Sequence, residues 1–379
     1  MLYLQLNTLA ILAAFCLVVA LFRLCTKNKK NRVLLWLLPV AEGLILLYIS
    51  QRLAIFYVLY IIIGLLCTRI LFLFPKKWLF ALFSLGALVP FFLSRSESFG
   101  ISLPFLFVSI GIAYQMLKMI DGFYYVYFTR EAVNPLIFVN YMLFLPVFTA
   151  GPIYRYREFA DDCQKPVAMN GAEFTEDFKR LIRGMFKKVV LSAIGLRMLQ
   201  VLLGTQLHWY TSATIALLCY LTLYFDLSGY SDIAIAFGRI AGFSVPENFK
   251  SPWKAPSFTQ FWRCWHASLS NWIRDHIFVL LHKKKLNRLA SAALCLLTMV
   301  MMSLWHGFYW AYFLAGLYNG LLLAAENLLH LTTVNKRKTK KSVYMIRCFA
   351  VNALFALNTL VFLMSPQQVL AVLQGFLAR

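Results

Sequence analysis

Two histidines stand out, one inside a long apolar run and one among tryptophans. His306 lies in "SLWHG", Ser303 to Gly307, and His266 lies in "FWRCWHASLSNW", Phe261 to Trp272. Between Leu289 and Leu329 the only other strongly polar side chains are Asn319, Glu326 and Asn327. An imidazole titrates near pH 6.5, and burial favours its neutral, basic form. It can take a proton from a hydroxyl at neutral pH and return it, which is the work of a general base. An ionisable group inside a membrane-grade segment points first to function, and Gly307 allows a backbone or ligand to come close. Two other readings stay open at this level. Either histidine can be a hydrogen-bonded packing residue, and a pair of intramembrane histidines can serve as the proton relay of a multi-span transporter or flippase.

The elements that must carry these residues are membrane helices. The chain has 379 residues, is 61% hydrophobic and has a mean hydropathy of +0.70. Apolar runs of about 20 residues, the length that crosses a bilayer, recur near 5–25, 33–50, 53–74, 78–94, 101–117, 134–150, 187–206, 211–226, 288–305, 309–329 and 343–364. The expected fold is an all-α polytopic membrane protein of about ten or eleven spans plus interfacial helices, read as a single domain over 1–379. Strict apolar/polar alternation, the mark of a membrane β-barrel, is absent from the sequence.

The net charge of +22 does not indicate nucleic acid, because of where it sits. The basic clusters "KNKKNR" (27–32), "KK" (76–77), 179–188, "HKKKLNR" (282–288) and "KRKTKK" (336–341) alternate with loops poor in Lys and Arg. That is the positive-inside pattern, with the basic loops facing anionic headgroups and the N-terminus outside. Eight cysteines are scattered without a CxxC spacing, so neither a disulfide framework nor a metal site is expected.

Two regions break the spanning pattern. In "TAGPIYRYREFADDCQ" the Gly151-Pro152 pair marks a turn, and Arg155 and Arg157 follow at alternate positions. "TEDFKRLIRGMFKK" then predicts an amphipathic helix capped by Thr175, with Phe178, Leu181, Ile182, Met185 and Phe186 on one face, lying in the membrane surface. The second region runs from Phe225 to Leu281. Asp226, Ser228, Tyr230 and Asp232 there are expected to form a hydrogen-bonded polar core, since unpaired polar groups in lipid are costly. "SVPENFKSPWKAPS" is proline-rich and therefore extended. Ser257 then caps a helix on which Trp262, Trp265, His266, Leu269, Trp272, Ile273 and His276 share one stripe, as in an interfacial tryptophan belt.

The succession "GPIYRY", "FDLSGYSDIAIAFGRIAGFSVPENFKSPW", "FWRCWHASLSNWIRDHIF" and "LWHG" resembles the membrane-bound O-acyltransferases, in their bacterial alginate O-acetylation and teichoic acid D-alanylation branches. The resemblance covers roughly residues 100–330. It implies a ring of tilted helices around a tunnel, with the essential histidine at His306 and a second at His266. Arg263 with Trp265 stands where the family has an arginine-tryptophan pair. Trp305 and Asn271 would shape the tunnel, and Arg155, Arg157 and the loop 282–288 would meet the donor or its carrier. The implied reaction passes an acetyl or D-alanyl group from a cytoplasmic thioester, an acyl-coenzyme A or an acyl-phosphopantetheine carrier protein, to a hydroxyl. The acceptor route leads through an extracytoplasmic esterase-like partner to a polysaccharide or teichoic acid. No permanently bound cofactor is implied. The location implied is the bacterial cytoplasmic membrane. Two departures stand out: the Gly-Gly loop that alginate-type members carry after the RDxxF-type segment is missing from "HIFVLLHKKKLNR", and the chain is short for that branch.

Overall fold

The computed structural model describes residues 17–21, 23, 32–95, 111–165, 170–278 and 287–378. All regular elements among them are helical. The expected spans at 5–25 and 101–117 and the basic loops 27–32 and 282–288 fall wholly or mostly outside these residues. Among the described residues three helices are long and apolar enough to cross a bilayer alone, Gln51–Leu73, Trp209–Ile240 and Lys341–Leu363, and three shorter apolar stretches lie at Leu35–Ile49, Lys77–Leu93 and Arg288–Leu304. The chain divides into two compact units, Met1–Arg183 with Asp232–Pro246, and Gly184–Ser231 with Glu247–Arg379.

The first unit holds α1 (Arg32–Ile49), α2 (Gln51–Leu73), α3 (Lys77–Leu93), α4 (Ile112–Thr129), α5 (Pro135–Leu143) and α6 (Tyr156–Asp162). On α2 the side chains of Ile55, Leu59, Ile62, Ile63 and Leu66 are exposed, an apolar surface of the kind lipid covers. The run expected to span at 134–150 is broken. After α5 the backbone turns at Phe144 (φ −46°, ψ 99°) into a 3₁₀ turn, Leu145–Val147. Gly151 (φ +105°) supplies the expected turn. Residues 152–155 have no regular structure, Arg155 being extended (φ −88°, ψ 148°), and Ile153, Tyr154 and Tyr156 are buried.

Helix α7 (Gly171–Met185) starts earlier than expected. Its cap is Asn170: Asn170 Oδ1 accepts from the Glu173 N–H at 2.8 Å, and Glu173 Oε2 accepts from the Asn170 N–H at 3.4 Å. This is the reciprocal arrangement of a capping box, and Thr175 lies inside the helix, its hydroxyl donating to the Gly171 carbonyl. The expected apolar face is present. Phe178, Ile182 and Met185 are exposed, while Leu181 packs against Ala20, Phe237 and Ile240.

The second unit starts at Gly184. A π turn, Phe186–Leu191, leads into α8 (Ser192–Leu203), so the span expected at 187–206 is not one regular helix. Helix α9 (Trp209–Ile240) runs past the expected end at 226 and carries residues of both units. Helices α10 (Phe258–Trp262) and α11 (Ala267–Ile273) are short, and a π turn, Arg274–Phe278, follows. Helices α12 (Arg288–Leu304) and α13 (Trp310–Leu328) pack closely together, α14 (Lys341–Leu363) follows, and α15 (Pro366–Gly375) ends the described chain. The α12–α13 pairing needs glycine. A Cβ at Gly316 would lie 2.7 Å from Val300 Cα, and one at Gly320 would lie 2.9 Å from Leu296 Cα. Small residues four apart let membrane helices approach this closely.

Candidate active site

His306 is placed by the end of α12. The Asn287 side chain accepts from the Ala290 N–H at 2.8 Å to start that helix. Its last bonds shorten to three-residue steps, from the His306 N–H to Ser303 O at 3.0 Å and from Gly307 N–H to Leu304 O at 3.1 Å. This tightening is how a helix end uses its spare carbonyls. His306 is therefore in the turn between α12 and α13, and it is exposed. Aromatic rings surround it: Trp305 at 5.2 Å, Phe362 of α14 at 5.1 Å and Tyr312 at 6.1 Å between centroids. Gly307 makes room for them, since a Cβ there would sit 3.0 Å from Tyr312 and 3.2 Å from Tyr309.

His266 is held differently. The single helix expected from Ser257 onward is two helices with a break at 263–266. Ser257 does cap the first, its Oγ accepting from the Gln260 N–H at 3.2 Å. Glu326 adds a carboxylate cap, accepting from the Phe258 N–H at 2.6 Å and the Thr259 N–H at 2.9 Å. His266 then takes a left-handed conformation (φ +49°, ψ 44°) ahead of α11, a region in which histidine is enriched among non-glycine residues. Trp265 and Trp272 are buried. They do not form an interfacial belt. Trp265 packs in a core with Phe249, Phe261 and Phe355, and Trp272 stacks on His276 at 4.2 Å.

The anchor of this break is Asn248, a residue the sequence reading did not single out. Its carbonyl accepts from the Ala267 N–H at 2.9 Å. Its Oδ1 accepts from the Ser268 N–H at 3.2 Å and Ser268 Oγ at 2.7 Å. Because a backbone N–H can only donate, this fixes which end of the amide faces which way. Asn248 Nδ2 then donates to Ser231 Oγ and to His266 Nδ1, both at 3.3 Å. The His266 proton therefore sits on Nε2. Burial first, and the charge of His306 second, push the His266 pKa down to about 3, so the ring is neutral.

Arg263 and Asn271 line a cavity of about 340 Å³ together with Trp262, Ser270, Arg274 and Met299. Among the described residues no acidic side chain lines it. Trp262 Nε1 and Ser270 Oγ are buried and meet no hydrogen-bond partner among the described residues. The wall is thus rich in donors, and neither histidine is part of it.

Of the residues expected to form a polar core, the two aspartates are in ion pairs. Asp226 accepts from Lys188 Nζ at 2.6 Å, and that ammonium lies 5.6 Å from the centre of the Tyr230 ring. Asp232 accepts from Arg180 at 2.9 Å. Ser228 is buried, with no partner for its hydroxyl among the described residues. Arg155 and Arg157 belong to the first unit, flanking Tyr156 at the start of α6. Arg155 is half-buried and Arg157 exposed.

The site residues of both units lie within a stretch that comparison with known proteins recognises. Residues 103–367 match the membrane-bound O-acyltransferase family model. A probable alginate O-acetylase AlgI of Pseudomonas fluorescens is 32% identical over 265 residues, covering 68% of this chain and 52% of the relative. A teichoic acid D-alanyltransferase of Streptococcus thermophilus is 30% identical over 291 residues, covering 70% and 68%. A peptidoglycan O-acetyltransferase of Helicobacter pylori is 29% identical over 209 residues, covering 50% and 37%. The chain spans about half the length of the alginate relatives it matches. With a match of that extent running from α4 to α15 through both histidines, the chain belongs to the membrane-bound O-acyltransferase family.

Proposed function

We propose that the protein transfers a small acyl group, acetyl or D-alanyl, from a cytoplasmic thioester to a hydroxyl on the far side of the bacterial cytoplasmic membrane. The observation that carries this reading is the exposed His306 beside Gly307, with a second histidine, His266, buried and neutral in the same unit. In the reaction His306 takes the proton of the attacking hydroxyl as its oxygen bonds to the acyl carbon. The tetrahedral intermediate collapses, the thiolate leaves, and the imidazolium returns the proton to it. General-base help of this kind is worth about 10²–10⁴-fold. His266, with its proton on Nε2, serves as a donor to the developing oxyanion. Such a donor is worth about 10²–10³-fold.

The donor-rich cavity at Arg263 and Asn271 suits the polar part of an acyl-coenzyme A or of a phosphopantetheine arm on a carrier protein. Arg155 and Arg157 are suited to meeting that donor or its carrier. The acceptor belongs to the O-acylation of a cell-surface polymer, for which the relatives' names supply alginate, teichoic acid and peptidoglycan. An extracytoplasmic esterase-like partner finishes the transfer.

The test is mass spectrometry of surface polymers from a deletion strain complemented with wild type or with His306→Ala. An acetyl or D-alanyl ester should vanish on deletion and return only with wild type, which also identifies the acyl group. Full restoration by His306→Ala, at equal membrane abundance, would remove His306 from the mechanism.

A further inference from the structure

A second polar cluster, unrelated to the histidines, is buried in the first unit. Glu42 of α1 and Gln115 of α4 are wholly buried, and Lys118 of α4 is 2% exposed. All three reach the backbone of the last turn of α5 or of the irregular stretch that follows it. Lys118 Nζ donates to Met142 O at 3.5 Å, Glu42 Oε1 accepts from the Leu145 N–H at 3.0 Å, and Gln115 Nε2 donates to Phe148 O at 3.2 Å. The three backbone groups are three residues apart in sequence. Gln115 and Lys118 are one helical turn apart on the same face of α4.

Each side chain uses one end and leaves another unsatisfied. Glu42 Oε2 and Gln115 Oε1 are buried and meet no donor among the described residues. The Lys118 ammonium has three N–H groups. It has one long hydrogen bond and the Tyr141 ring, whose centre is 4.9 Å away. Buried polar atoms in this state are normally satisfied by ordered water. The chemistry of the cluster selects the ligand. It must accept once, from the ammonium, and donate twice, to the carboxylate and the amide oxygen. A metal cation would face the ammonium, and an anion would face the carboxylate. A small neutral molecule with two donors and an acceptor has neither conflict.

We propose that Glu42, Gln115 and Lys118 form a binding site for an internal water, which bridges Lys118 Nζ to Glu42 Oε2 and Gln115 Oε1 and locks the helix break at 143–148. The lock joins α1 and α4 to the strap that leads to Gly151-Pro152, and it is independent of the acyl-transfer reading.

Two measurements on the full chain in nanodiscs test it. The first is an experimental structure of the wild type at a resolution that shows ordered water. A peak within about 2.7–3.2 Å of all three side-chain atoms is the expected result. A direct Lys118–Glu42 Oε2 bond, with no peak between them, would overturn the proposal. The second is hydrogen exchange at the Leu145 amide in Gln115→Met, a change of similar length at a residue whose amide bonds Phe148 O. The water lock predicts exchange at least about ten-fold faster. An unchanged rate in folded variant would overturn it, and if the variant fails to fold the wild-type structure decides alone.

Discussion

Asn248 is where the site is most exposed to a single change. Replace it with leucine, and the buried Ser268 N–H and hydroxyl lose their acceptor while Ser231 Oγ and His266 Nδ1 lose their donor. The hydroxyls can rotate toward other groups, but the Ser268 N–H cannot. An unsatisfied buried donor costs about 1–3 kcal/mol, so Asn248→Leu should lower stability by about 3 kcal/mol once the hydroxyls are included. Asn248→Asp separates stability from chemistry. Its carboxylate keeps the bonds from Ser268 but presents an acceptor to His266 Nδ1 in place of a donor. The imidazole must then carry its proton on Nδ1, or become charged. If the Nε2–H of His266 steadies the oxyanion, losing it costs about 10²–10³ in rate. The assay is acyl transfer from a labelled thioester in proteoliposomes, with thermal unfolding of the same sample as a control. A wild-type rate in well-folded Asn248→Asp, at a pH high enough to keep its imidazole neutral, would refute the argument that His266 acts through the tautomer that Asn248 imposes.

Further outcomes follow from other parts of the structure. His266→Ala should lower the transfer rate about 10²–10³-fold while the protein still accumulates in the membrane, and an unchanged rate would leave His266 a packing residue. Because the folded pKa of His266 lies below the ordinary imidazole value, the unfolded chain binds its proton more readily. Stability should therefore fall as pH drops below about 6.5 and continue falling toward pH 3. Unfolding temperature measured against pH should show a shallower decline in His266→Gln. Gly316→Ala places a Cβ against the backbone of α12 and should cost about 1–3 kcal/mol, read by thermal unfolding in detergent. Glu326→Leu removes both acceptors at the start of α10 and should cost about 2 kcal/mol or more, with stability equal to wild type as the contrary result.

The parts of this architecture that local sequence controls were legible. The turn at Gly151, the Ser257 cap and the exposed apolar face of α7 follow from residue type and spacing. So does the position of His306 beside Gly307. The start of α7 was misplaced because Thr175 looks like a cap, although Asn170 and Glu173 already stand at capping-box spacing. The break at His266 had no such signal. Trp262, Trp265, Leu269 and Trp272 recur at helical intervals, and no glycine or proline interrupts them. What breaks the helix is a tertiary event: Asn248, eighteen residues earlier, takes over the first backbone donors of α11. An asparagine in a proline-rich stretch reads as a turn residue, so its part was hidden. The cavity at Arg263 and Asn271 was hidden for a similar reason, since α12 and α13 supply its other wall.

The carboxylates of the apolar segments share a habit. Glu42 accepts from Leu145, Asp121 from Tyr156, Asp162 from Ser244 and Glu326 from Phe258, each time through a backbone N–H where helical structure stops or starts. For Glu42 the partner lies 103 residues downstream. At about 5–20 residues per second of synthesis, that is roughly 5–20 seconds during which α1 exists without the group its acid will hold. An acid at the centre of an inserting helix costs about 2.5–3.5 kcal/mol on insertion scales. Helix α1 is thus a reluctant guest of the bilayer at birth. It becomes a settled one only when residue 145 arrives, so the order of synthesis is written into where this protein keeps its acids.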